Sequence, residues 1–332
     1  MYRRLLIITG IFSLVLIIGC SNEPNNTVEE PTKVEQETNT NGPANREEEA
    51  DSETPQEDNV VETDPAVMAD FQALVDKKAA VAELKSFVDS QTGKVSNEDY
   101  TAMVLAFEDL QQDQLLALED RFYNGADFQE QLWESSKNGF DFSQIDTVSN
   151  PDLKKLLMDT RDGGYKVETA EGAYFPIIDY EGYVQYQAHV SEDIRDYIEI
   201  KAIESKEVSV KDAGMAIGWG EAVGRAVRQE SFIVNHPSSF RIDEMKRLFG
   251  GYVYVTFNGL DNTPLFSYED ETVVPEAKTA YTDAVKSGTD SSPYLKRLSV
   301  LLDLIEKSGN KKSEEVMNYQ QETTELWYNS NF

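Results

Sequence analysis

The stretch 96–123, SNEDYTAMVLAFEDLQQDQLLALEDRFY, decides the fold class. Ser96-Asn97-Glu98-Asp99 reads as a capping-box start, a hydroxyl followed by acids. Behind it Tyr100, Met103, Val104, Phe107, Leu110, Leu115, Leu116, Leu118 and Phe122 recur at helical steps. That is one face of a helix, not the alternation of a strand, and it predicts a helix to about Tyr123. Upstream, Val67, Phe71, Leu74, Val75, Ala79, Val81, Leu84 and Val88 keep the same period, so a single helix is expected from Pro65 to about Ser90. Asp64 before Pro65 supplies its cap and Gly93 its stop. The turn between the two helices places Gly93, Val95 and Asp99 where a calcium loop wants them. Position one of that register is Val88, which has no oxygen to offer, so an ordinary capped turn is the reading.

Downstream, helices are expected through Phe128–Trp133 and from Asn150-Pro151 over Leu153, Leu156, Leu157 and Met158. Short connections make neighbouring helices antiparallel hairpins. The period then changes. Tyr165–Glu168 and Ala173–Ile178 flank Thr169-Ala170-Glu171-Gly172, which predicts a β-hairpin near 164–178. Pro176 confines its strand to an edge. Tyr174, Phe175, Tyr180, Tyr183 and Tyr186 make a dense aromatic patch there. Packing between hairpin and helix is the simpler role for it. If the body binds a partner in a helical groove, Tyr174, Tyr180, Tyr183 and Trp219 are the residues expected to line it.

A second helical block follows. Ser191-Glu192-Asp193 opens one helix, and Ser209 is expected to open the next, running through Met215 to Val227. Inside the latter, Gly214, Gly218, Gly220 and Gly224 do not match a dinucleotide fingerprint, because Val223 stands where its third glycine belongs and no strand precedes it. Small residues there allow close helix approach or a kink. The segment Phe232-Ile233-Val234-Asn235-His236-Pro237-Ser238-Ser239-Phe240 and the amphipathic run after it resemble the inter-helix junction of tetratricopeptide proteins. The resemblance covers about one repeat, without that family's Trp-Gly-Tyr-Ala pattern and without a second copy. It implies stacked helical hairpins. Phe257–Val274 reads as a loop, and helices are expected over 275–286, 293–307 and 312–327.

Recognisable chemistry is scarce. His189 and His236 do not form a zinc motif, and no cysteine joins them. Neither a nucleophile elbow nor a phosphate loop is present. Carboxylates are so abundant that pairing them by sequence carries no information. No catalytic residue, cofactor or metal is assigned.

The address is clearer. Arg3 and Arg4 precede the apolar run Leu5–Ile18, then Gly19-Cys20-Ser21. That order is a secretory leader, and the run is too short to span a bilayer comfortably. Ile17, Gly19 and Cys20 resemble the lipobox of bacterial lipoproteins. The resemblance implies diacylglycerol on the Cys20 sulfur, cleavage before Cys20, and acylation, as by palmitate, of the new amino terminus. Cys20 is the chain's only cysteine, so it has no disulfide partner. From Ser21 to Asp64, fourteen acids face only Lys33 and Arg46, a balance of −12 out of −31 for the whole chain. With few large apolar residues, this stretch is expected to be a disordered, extended spacer. From Pro65 on, the balance is −21. Such acidity argues against nucleic acid and against charge-driven docking on anionic lipid.

The expected organisation is therefore a leader at 1–19, an acidic tether at 20–63, a helical block at 64–162, and a hairpin plus second helical block at 163–332, the two blocks forming one domain or two. The fold class expected is mostly α, stacked helical hairpins with one small β-hairpin. The expected role is a lipid-anchored protein on the outer face of the cell membrane, a non-enzymatic binder of an envelope protein, peptide or ligand. A carboxylate-using wall-active or peptide-processing enzyme is the alternative. A transporter's solute-binding component is a third, disfavoured because repeated strand–helix alternation is missing.

Overall fold

The architecture comes from a computed structural model, which describes residues 61–135, 140–289 and 291–329. The expected leader, Cys20 and the expected tether up to residue 60 lie outside the described residues. The described body belongs to one compact unit, Asp58–Phe332. It is mostly helical, with three small two-stranded antiparallel ladders.

The N-terminal part contains α1 (Pro65–Asp76), α2 (Val81–Gln91), α3 (Asn97–Asn124), α4 (Phe128–Ser135) and α5 (Pro151–Asp162). Helix α3 is the axis: α1, α2, α4 and α5 all pack on it. Ser96 caps it, accepting from the Asp99 N–H at 3.1 Å, while the Ser96 N–H donates to Thr63 Oγ1 at 2.8 Å. Thr63 thus takes the place of the reciprocal side chain of a full capping box.

The single helix expected over Pro65–Ser90 is instead two. The chain breaks at Lys78, which adopts φ 51°. The Lys78 N–H donates to Val75 O at 3.0 Å and the Ala79 N–H to Leu74 O at 3.0 Å. These are the two bonds of a Schellman motif, with lysine where glycine is usual. The calcium-loop register fails in space as well, since Val88 is fully buried.

Strands β1 (Tyr165–Ala170) and β2 (Ala173–Ile178) form the expected hairpin. Its turn residues Glu171 and Gly172 take φ 51° and 77°, the paired left-handed conformation that matches strand twist. Both edges are blocked. Phe140 bridges Val167 on β1. On β2, the Gln129 side chain imitates a strand: Oε1 accepts from the Tyr174 N–H and Nε2 donates to Tyr174 O, each at 2.8 Å. Pro176 has no N–H to offer. The sheet edge is closed against further pairing.

After a 3₁₀ segment, Gly182–His189, helix α6 (Glu192–Lys206) crosses to the C-terminal part. The helix expected from Ser209 does not start there. Strands β3 (Val210–Lys211) and β4 (Gly214–Met215) form a second hairpin, with Asp212 and Ala213 both left-handed. Helix α7 (Trp219–Asn235) begins only after Gly218. The reason is tertiary. Helix α8 (Ile242–Asn258) is followed by β5 (Gly259–Leu260) and β6 (Thr263–Pro264), inside the stretch expected to be loop. The Asn262 N–H donates to Ala213 O at 3.0 Å, and the Met215 N–H to Thr263 Oγ1 at 3.0 Å. Asp212 Oδ1 accepts from the Glu171 N–H at 2.9 Å. The three hairpin tips hold one another.

Helices α9 (Pro275–Ser287), α10 (Pro293–Lys307) and α11 (Glu314–Asn329) complete the chain. Contacts run α7–α8–α11–α10–α9 and back to α7, so these hairpins close into a ring. A continuous hydrophobic core joins this ring to the α3 bundle.

Gln129→Ala removes the side-chain amide that bonds both the N–H and the C=O of Tyr174, a residue with no exposed surface. The expected loss is about 1–3 kcal/mol in chemical denaturation.

Candidate functional site

Three polar residues of α3 are buried, Thr101 at its start and Glu108 and Gln111 at its middle, the last two at 2% and 0% exposure. Glu108 and Gln111 must be satisfied from elsewhere in the chain. Gln111 Nε2 donates to Gly163 O at 2.7 Å, and its Oε1 accepts from the Tyr183 hydroxyl. Glu108 Oε1 accepts from the Tyr180 hydroxyl at 2.5 Å and from that of Tyr197 on α6. Its Oε2 accepts from Arg241 Nε at 2.9 Å. Arg241 also reaches Asp109 at 2.7 Å. The residue just ahead of α8 is thereby clamped to the middle of α3.

The network continues outward. The Tyr197 hydroxyl also lies 2.8 Å from Glu244 Oε2, and Lys201 Nζ donates to Glu244 Oε1 at 2.6 Å. Lys201 sits 4.6 Å above the Tyr180 ring. One turn along α6, Glu204 accepts from the Tyr252 hydroxyl at 2.7 Å. Arg225, 3% exposed, is paired with Glu221 at 2.9 Å and Glu204 at 3.3 Å.

Burial pushes the Glu108 carboxyl above its ordinary range, against the pull of the Arg241 charge. Burial acts upward on Glu244 too, but the Lys201 ammonium, the Tyr197 hydroxyl and the Arg241 charge together outweigh it and that carboxyl sits low. A phenol has one proton, so Tyr197 serves one of its two carboxylate neighbours at a time. Burial also raises Glu204, despite Tyr252 and Arg225.

A cleft of ≈300 Å³ opens beside this network. Its lining is mixed: apolar Leu115, Ile177 and Ile178, the Tyr180 ring, polar Gln112 and Ser205, and charged Lys201, Glu204 and Glu244. Of the four residues expected to line a groove, only Tyr180 reaches this cleft. All four are buried. Tyr174 has its backbone held by Gln129. Tyr183 stacks on Phe107 at 5.5 Å and touches Tyr180 at 5.2 Å. Trp219 stands edge-on to Tyr281 at 5.8 Å, within the C-terminal ring. The four therefore do not form one open groove. Their rings fill core, where aromatic burial contributes most.

The remaining candidates are accounted for locally. His236 Nε2 lies 2.8 Å from Asp196 Oδ2, and His189 packs edge-on against Tyr100. Among the described residues, no group of three His, Cys, Asp or Glu side chains is arranged to hold a metal. No helix among them is long and apolar enough to cross a membrane. No protein-family model, curated protein or solved structure matches this chain.

The raised Glu108 carboxyl fixes a sign. Below its ordinary value of 4.5, folded and unfolded chains both hold the proton. As pH rises, the unfolded chain releases it first, so this group's contribution to stability falls. Denaturation of the parent chain and of Glu108→Gln, compared from pH 4.5 toward 7, checks this. The stability of the parent relative to the variant is expected to decline with pH.

Proposed function

We propose that this chain is a lipid-anchored protein on the outer face of the cell membrane, whose helical body binds an envelope protein or peptide without catalysing a reaction. One observation carries the anchor: a basic start, an apolar run and Ile17-Ile18-Gly19-Cys20, with Cys20 the only cysteine in the chain. A lone thiol at the end of a secretory leader has a purpose in thioether lipidation and none in disulfide bonding. One acyl chain holds a protein marginally, and two or more hold it stably.

The acidic stretch after Cys20 suits a spacer that carries the body off the membrane. The pairing of the body's acids supports binding over catalysis. Glu108 has no opening to solvent and is tied to arginine and tyrosine. Glu244 is tied to lysine. A general acid or base needs a free path to substrate, which Glu108 lacks.

Mass spectrometry of the mature amino terminus tests the anchor. A diacylglyceryl-modified Cys20 at the first position is expected, and Cys20→Ser should move the protein from the membrane to the soluble fraction. An intact, unmodified Met1 in membranes overturns the reading.

A further inference from the structure

The partner-binding reading leaves open what the body recognises, and the cleft beside Lys201 answers in chemical terms. Its lining combines two chemistries. Leu115, Ile177 and Ile178 are apolar, and among the charged groups Glu204 and Glu244 outnumber Lys201. Lys201 is committed to Glu244 at 2.6 Å. Glu204 is less well supplied. Beyond Tyr252 at 2.7 Å, its contacts are long: Arg225 at 3.3 Å and Gln229 at 3.4 Å. A carboxylate has about four acceptor positions, and charge-assisted bonds are shorter than these, roughly 2.7–2.9 Å. Glu204 therefore has room for one more cationic donor, and its side chain keeps 16% exposure through which to meet it.

The ligand that matches both kinds of lining residue is an aliphatic stem ending in a cation. Lysine and arginine side chains have this form, laying methylenes on apolar surface and keeping the charge at its edge. An anion would face two carboxylates. A neutral apolar group would bury them without compensation. The surplus of −21 from Pro65 on favours approach of a basic partner at long range.

We propose that this cleft receives a lysine or arginine side chain from a basic segment of the partner polypeptide. The inference rests on the partner-binding reading above and specifies its ligand. Glu204 is the acceptor, Lys201 holds Glu244 in place, and Ile177 and Leu115 flank the stem.

Methyl-labelled full chain titrated with n-butylguanidinium at physiological ionic strength tests it. Saturable shifts confined to the methyls of Leu115, Ile177 and Ile178 are expected, and n-butanol should produce none. Glu204→Gln, and separately Ile177→Lys, should weaken binding about tenfold, while Glu314→Gln on α11 leaves it unchanged. Shifts that never saturate, that spread over the acidic surface, that survive in both cleft variants or that appear equally with n-butanol overturn the proposal. An unlipidated Cys20 would sink the anchor and leave this titration unaffected, so the two failures are distinguishable.

Discussion

A carboxylate inside the longest helix organises this protein. Glu108 lies on the apolar face of α3, 2% exposed, and removing it from water costs several kcal/mol unless partners replace the lost hydration. Its partners come from three separate places: Tyr180 after β2, Tyr197 on α6 and Arg241 ahead of α8. Meeting that demand fixes α6 and the α7–α8 turn against α3. Apolar contact brings the N-terminal bundle and the C-terminal ring together without a preferred register. The buried charge supplies one, because only a single arrangement places an arginine and two phenols around it. A polar group that must be satisfied is costly and selective for the same reason.

The same cluster connects the core to the candidate site. Tyr197 touches Glu108 on one side and Glu244 on the other, and Glu244 leads through Lys201 into the cleft. The charged residues lining the cleft are thus the outer end of the joint between the two parts. Its groups are held in place from behind, which lowers the ordering cost when a ligand enters.

Much of the helical plan was legible from period alone. The apolar stripes of α3, α5, α6, α8 and α10 sit where their spacing puts them, and Glu171-Gly172 marks the long hairpin through its glycine. The failures have a common cause. Lys78 occupies a left-handed position that glycine usually advertises, so the break between α1 and α2 left no mark. Asp212-Ala213 turns because Asn262 and Thr263, about fifty residues later, grip that tip. The four aromatics expected to share a groove are buried in the core, since bulk and amphipathicity do not distinguish a site from a core. Glu108 stands one helical turn after Val104 on the buried stripe, but as one acid among many it did not stand out in the sequence. Nor did its partner Arg241, 133 residues away among many equivalent charges.

The pairing of Glu108 with Arg241 is the statement on which most depends, and a double-mutant cycle tests it most directly. Glu108→Gln, Arg241→Met and the double variant are compared in equilibrium denaturation at pH 7. A joint built on this pair predicts that the two single losses exceed the double loss by about 1–3 kcal/mol. Losses that add to within roughly 0.5 kcal/mol would contradict it.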